Sequence, residues 1–218
     1  MIKVGILISG RGSNMTALLE AMKAPGFPAR CVLVISNLAS APGLVSAASF
    51  GIKTSVIDHK ISKTREEHDS KMIEALKSEG VEIVCLAGYM RLLSPLFIKA
   101  FPNSIINIHP ALLPSFPGLH VQQMAIDAGA RFSGCTVHIV DELCDHGPIL
   151  LQAAVPIFPG DDEERLSQRI LKFEHRTYPL ALKLFAEGKF EIKTPRAELK
   201  LSFDEYDKIL EELIWDGE

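Results

Sequence analysis

Short blocks of unbroken apolar residues alternate along this chain with stretches in which apolar residues recur at helical spacing. Ile2-Lys3-Val4-Gly5-Ile6-Leu7-Ile8 opens the series and predicts a strand over roughly 2–9. Met15, Leu18, Leu19 and Met22 follow at i, i+3, i+4 and i+7, which predicts a helix capped by Ser13. Cys31-Val32-Leu33-Val34-Ile35 lacks the alternation of a half-exposed strand, so it is expected to be buried on both faces, closed by Ser36-Asn37. A third strand is predicted near Thr54-Ser55-Val56-Ile57, and Thr64 with Glu67 has the Thr-x-x-Glu pattern of a capping box. Ile83-Val84-Cys85-Leu86-Ala87 is a further continuous run, as a central parallel strand requires. Strand and helix periods in alternation imply βαβ units and a parallel sheet.

From about residue 131 the pattern changes. Thr136 to Val140 and Ile149 to Val155 leave no room for a helix between them and read as a hairpin or an antiparallel edge of the same sheet. A long helix is expected from about Asp161, broken or kinked at Pro179. Ser202 and Glu205 form a second capping-box match ahead of Tyr206, Ile209, Leu210, Leu213 and Ile214. The expected class is α/β, a doubly wound, mostly parallel sheet with an antiparallel C-terminal part. One domain over 1–195 is expected, with 196–218 an amphipathic segment packed on it.

The strand end Asn107-Ile108-His109-Pro110-Ala111-Leu112-Leu113-Pro114 carries the first candidate chemistry. Residues i and i+2 of a strand share a face, so an amide and an imidazole point the same way. Pro110 and Pro114 lack an N–H and force the chain out of the sheet. Ligands of open α/β sheets bind at that edge. Gly10-Arg11-Gly12-Ser13-Asn14 follows a strand and opens a helix, where free N–H groups favour an anion. A dinucleotide fingerprint would need glycine at 15 and an acid after the second strand, and the chain has Met15 and Asn37. One substrate phosphate fits the loop better than NAD.

Composition narrows the picture further. With 218 residues, 47% hydrophobic and 23% charged, the chain has the make-up of a globular domain. The net charge of −4 and the absence of a basic patch argue against a nucleic-acid surface. No run of 18 apolar residues exists to span a membrane, and the opening strand is no signal peptide. Cys31, Cys85, Cys135 and Cys144 show no CxxC spacing, so reduced thiols in a cytoplasmic enzyme are expected. His138, Asp141, Asp145 and His146 have none of the usual zinc spacings, and no metal site is expected. No Gly-x-Ser-x-Gly elbow is present for a serine hydrolase.

Gly12-Ser13-Asn14, Met90-Arg91-Leu92-Leu93-Ser94-Pro95, Asn107-Ile108-His109-Pro110 with Leu112-Leu113-Pro114, and Asp145-x-Gly147-Pro148 together resemble the phosphoribosylglycinamide formyltransferase family, from residue 1 to about 190. The resemblance implies direct formyl transfer from 10-formyltetrahydrofolate, as cosubstrate, to the amine of glycinamide ribonucleotide in purine synthesis. It implies Asn107, His109 and Asp145 as the catalytic trio, with His138 supporting. Gly12, Ser13, Asn14 and Glu174 match the family's substrate-binding positions, and Arg65, Met90, Arg91, Leu93, Val140 and Asp141 its folate-binding ones. It departs at Gln122, where many members have a second histidine, and at Leu171, where a polar contact is common. Small-molecule partners, no nucleic acid, no membrane, no metal and a monomer or homodimer follow from the same resemblance. A folate hydrolase with water as acceptor would be expected to carry a further N-terminal domain, and a methionyl-tRNA formyltransferase a C-terminal RNA-binding one. A non-catalytic phosphate-binding protein would have no reason to keep Asn107, His109 and Asp145 together.

Overall fold

The computed structural model describes residues 1–215. It divides into two compact units, Met1–Asn107 with Val140–Glu142, and Ile108–Ile139 with the chain from Leu143. In the first unit the order is β1 (Ile2–Ile8), α1 (Ser13–Met22), β2 (Ala29–Ser36), α2 (Gly43–Ser49), β3 (Thr54–Val56), α3 (Arg65–Ser78), β4 (Ile83–Leu86), α4 (Pro95–Ala100) and β5 (Ile105–His109), whose last two residues open the second unit. The strands lie β3-β2-β1-β4-β5, all parallel, with Val4 opposite Ile83 and Leu86 opposite Asn107.

The unbroken apolar runs are explained by burial on both faces. Leu7 belongs to a core with Leu33, Ile35, Met72, Leu76, Val84, Leu86, Phe97 and Ile105. Its neighbour Ile8 is equally buried and reaches toward Gly43 of α2, as the two-residue alternation of a strand dictates. Thr64 caps α3 by accepting the N–H of Glu67 at 3.1 Å, while the Glu67 carboxylate takes the N–H of Lys63 at 2.9 Å, one residue earlier than a standard box. Ser13 is not a cap: it is the first helical residue of α1, because Gly12 occupies the cap position in the left-handed region at φ 72°.

The second unit contains α5 (Val121–Asp127), β6 (Phe132–Ile139), β7 (Ile149–Pro156), α6 (Glu163–Ala186), β8 (Phe190–Lys193), β9 (Arg196–Leu199) and α7 (Phe203–Leu213). β6 and β7 form the antiparallel pair that their spacing predicts, from Phe132 opposite Pro156 to His138 opposite Ile149. The pair is close-packed at Gly134, where a Cβ would press into the carbonyl oxygen of Ala153. α6 does not end at Pro179. Pro179 lies inside the helix among buried Tyr178, Ala181 and Leu182, so packing outweighs the lost backbone bond.

Residue 195 falls in the turn of the hairpin β8–β9, which the residue pattern did not predict. The Ser202–Glu205 capping box forms as expected. Beyond α7, Ile214 bridges to Ala154 of β7, and Trp215 lies 5.9 Å from the Phe173 ring and 6.1 Å from that of Phe158. The expected segment's last residues, 216–218, lie outside the described residues.

Arg169 ties this end together. Its guanidinium sits over Phe158 and donates to Asp161 at 2.6 and 3.0 Å. The pairing holds the Asp161 carboxyl below its ordinary value of 3.8. A lowered carboxylate adds stability above its unfolded value, lost as pH falls through the folded one. Asp161→Asn is therefore expected to cost roughly 2 kcal/mol at neutral pH, with the difference from the parent narrowing below about pH 4. Thermal unfolding of both proteins across that range measures it.

Candidate active site

In the first unit the chain leaves β1 for β2 on one side and β4 for β5 on the other, so the winding direction reverses between β1 and β4. Such a switch point opens a crevice at the C-terminal ends of the strands. After β1 comes the Gly10–Gly12 loop. At Gly12 a Cβ would stand 3.1 Å from the Met15 methyl and 3.2 Å from the Gly43 Cα, besides the positive φ. Ser13 and Asn14 follow as the opening residues of α1, which has no acidic residue and no side-chain cap at its first turn. The N–H groups there have no partner four residues back in the helix.

After β4 the backbone N–H of Met90 bonds the Ser9 hydroxyl at 2.9 Å, which in turn donates to Asn37 Oδ1 at 2.6 Å. Met90 is exposed, whereas Arg91 and Leu93 are half-buried. Leu93 and Val140 pack on the same apolar core, and the Val140 N–H donates to the Ile105 carbonyl at 2.9 Å. Asp141 follows, half-buried, and Arg65 opens α3 with its side chain exposed. Asn107 is half-buried on β5. Gly12, Ser13 and Asn14 thus follow β1, and Met90, Arg91 and Leu93 follow its parallel neighbour β4, whereas Val140 and Asp141 follow β6 and Arg65 opens α3.

In the second unit three predicted residues meet. His109, the buried last residue of β5, places Nε2 2.9 Å from the carbonyl oxygen of Phe116 and Nδ1 3.4 Å from Asp145 Oδ2. A carbonyl only accepts, so Nε2 carries a proton. The other carboxylate oxygen of Asp145 lies 3.8 Å from Nε2 of His138, whose Nδ1 donates to the Ile139 carbonyl at 2.9 Å. The Gly118 N–H and the Cys144 thiol also donate to Asp145, at 2.9 and 3.3 Å. One carboxylate therefore faces two histidines and is itself oriented by a backbone donor. Asp145 adopts the left-handed conformation at φ 51° to do so.

Thr136 supports this group and was not singled out by the sequence. Its hydroxyl donates to the Ala111 carbonyl at 2.7 Å, accepts the Leu113 N–H at 3.0 Å and accepts from the Gln152 amide at 3.0 Å. The proline-bounded turn after His109 thus bonds to a side chain in place of a ladder. The available signal was the strand period, since Thr136 and His138 alternate on β6. Glu174 sits buried on the apolar face of α6, where its charge adds to burial in pushing the Cys135 thiol up to about 12. Burial also lowers the neighbouring His175, whose Nε2 has no hydrogen-bond partner. Gln122 lies on α5 and Leu171 on α6. Among the described residues no group of three His, Cys, Asp or Glu side chains is placed to hold a metal, and no helix is long and apolar enough to cross a membrane.

A parallel sheet with this switch point, followed by a His–Asp pair on an antiparallel unit, defines a class that comparison with known proteins identifies. Residues 2–182 match the formyl transferase family, and the chain belongs to it. It is 42% identical over 199 residues to the phosphoribosylglycinamide formyltransferase of Haemophilus influenzae, covering 91% of this chain and 94% of that one. It is 54% identical over 188 residues to the trifunctional purine biosynthetic protein adenosine-3 of Drosophila pseudoobscura pseudoobscura, covering 85% of this chain but only 14% of that protein's length. The crystal structure of glycinamide ribonucleotide transformylase 1 from Symbiobacterium toebii superposes with a TM-score of 0.90 at 47% identity, over 91% of this chain and 94% of that one.

Thr136→Val keeps the shape of a fully buried side chain but strips partners from the Leu113 N–H, the Ala111 carbonyl and the Gln152 amide. A loss of about 1–3 kcal/mol is expected, seen as a lower urea midpoint with an unchanged m-value.

Proposed function

We propose that this chain transfers the formyl group of 10-formyltetrahydrofolate to the amine of glycinamide ribonucleotide, the phosphoribosylglycinamide formyltransferase step of purine synthesis. The observation that carries the reading is the pairing of buried His109 with the half-buried Asp145, with Asn107 two residues earlier than His109 on the same strand. Acyl transfer to an amine needs donors for a developing oxyanion and a route for the amine proton. These three side chains supply both.

In this mechanism the amine nitrogen attacks the formyl carbon, the tetrahedral oxyanion accepts from the Asn107 amide and protonated His109, and the bond to the folate nitrogen then breaks. The amine's proton passes by way of Asp145 and water to that leaving nitrogen. No side-chain nucleophile is needed, so transfer is direct. His109 Nε2 meets the oxyanion by exchanging the Phe116 carbonyl for it. That carbonyl belongs to the loop containing Phe116 at φ 54° and Gly118 at φ 93°. Gly12, Ser13 and Asn14 hold the substrate phosphate at the α1 N-terminus, and Glu174 contacts the ribonucleotide. Arg65, Met90, Arg91, Leu93, Val140 and Asp141 bind the folate, and His138 steadies Asp145. The enzyme so described works in the cytoplasm as a monomer or homodimer on small molecules, with no metal and no nucleic acid.

A spectrophotometric assay of 10-formyltetrahydrofolate loss, with and without glycinamide ribonucleotide, tests the reading. Turnover that depends on the ribonucleotide is expected; turnover without it would make the chain a folate hydrolase, and none would remove the activity. Asn107→Ala is expected to lower kcat by about two to three orders of magnitude, the usual loss for one oxyanion donor. A kcat equal to the parent's would take Asn107 out of the chemistry.

A further inference from the structure

The second turn of α3 carries a buried His-Asp pair that the proposed mechanism does not use. His68 and Asp69 are each 1% exposed, and a carboxylate so placed is costly unless its oxygens are matched by donors. Asp69 Oδ2 accepts the backbone N–H of Ser94 at 2.6 Å, and Oδ1 lies 3.4 Å from His68 Nδ1. His68 Nε2 donates to the Ile57 carbonyl at 2.9 Å. Two successive residues of one helix thereby tie down the segment after β3 and the segment after β4. Beside them, burial and the Asp69 charge both push the Tyr89 phenol up.

The segment after β4 is held at its other end too, where the Met90 N–H bonds the Ser9 hydroxyl. Between these two ties stand Met90, Arg91, Leu92 and Leu93, with Met90 65% and Leu92 59% exposed. A loop whose outward side chains meet solvent while its terminal amides are fixed inside the protein is preorganised, and preorganisation lowers the cost of binding. We propose that Asp69 is a positioning residue for the formyl donor: by holding the Ser94 amide it sets Met90, Arg91 and Leu93 where the folate binds. The assignment rests on the reading of those residues as folate contacts. The hydrogen bonds of Asp69 reach Ser94 and His68 and none of Gly12, Ser13 or Asn14, so the ribonucleotide's phosphate site is left alone.

The test compares Asp69→Ala and Asp69→Asn in steady-state kinetics, varying 10-formyltetrahydrofolate and glycinamide ribonucleotide separately. Asp69→Ala is expected to raise KM for the folate about tenfold or more, the equivalent of one charge-assisted hydrogen bond, with KM for the ribonucleotide and kcat near the parent's. Asparagine can still accept the Ser94 N–H and donate to His68 Nδ1, and is expected to restore most of the folate KM. Hydrogen exchange should rise in Asp69→Ala at the amides of 90–94 and not in β1. If the alanine variant does not fold, Ser9→Ala, which frees the Met90 amide, is expected to give the same split. A folate KM unchanged in the variants of a parent that consumes the folate overturns this assignment alone. So does a uniform loss of all constants without rescue by asparagine. A parent that does not consume the folate overturns the proposed function and this assignment with it.

Discussion

Parallel pairing of β1 with β4 is the constraint on which the first unit depends. Parallel strands require crossovers, and the chain winds outward from that pair to β2 and β3 on one side and, after returning to β4, to β5 on the other, so every strand delivers its C-terminal residue to one edge. The Gly10–Gly12 loop, Asn37, the 88–94 segment and Asn107 all follow from that single arrangement. The cost is an interior sheet buried on both faces, which is why β1, β2 and β4 read as continuous apolar runs. It also leaves the backbone at the edge without ladder partners.

Side chains answer for that backbone. Ser9 takes the Met90 amide, Asp69 the Ser94 amide and Thr136 the Leu113 amide. Asp69 and Thr136 sit on regular elements and Ser9 directly follows β1, and each fixes a loop that carries a candidate functional residue or stands next to one. Buried polar groups are ordinarily matched, and here the matching reaches from rigid elements into irregular chain. The Asp145 carboxylate is a variant of the same device, held by the Gly118 amide while it faces His109 and His138.

Much of this was legible in the residues. The strand runs, the β6–β7 pair and the box at Ser202 follow local rules that tertiary packing does not overturn. Ser13 misled because a residue that can cap a helix also tolerates its first position, and the cap fell to Gly12, which adopts the positive φ at no steric cost. The break at Pro179 does not occur, because a missing N–H argues against a helix only until packing around Tyr178 and Leu182 outweighs it. The short helices α2, α4 and α5 and the hairpin β8–β9 are too brief to show a period. At the site, Asn107 and His109 were visible as a pair two apart on a strand. Thr136 and Asp69 were not, because their roles depend on loops 23 to 25 residues distant in the chain, and a single sequence does not display such pairings.

Trp215 is the chain's single tryptophan, and its place beside Phe158, Phe173 and the Arg169 guanidinium has a spectroscopic consequence. Intrinsic emission excited at the indole comes from one site, so its intensity and wavelength report one local environment, free of averaging over several fluorophores. That environment spans the residue next to Glu174 on α6 and the tail that follows α7. Release of the tail would show as a red shift without any added label.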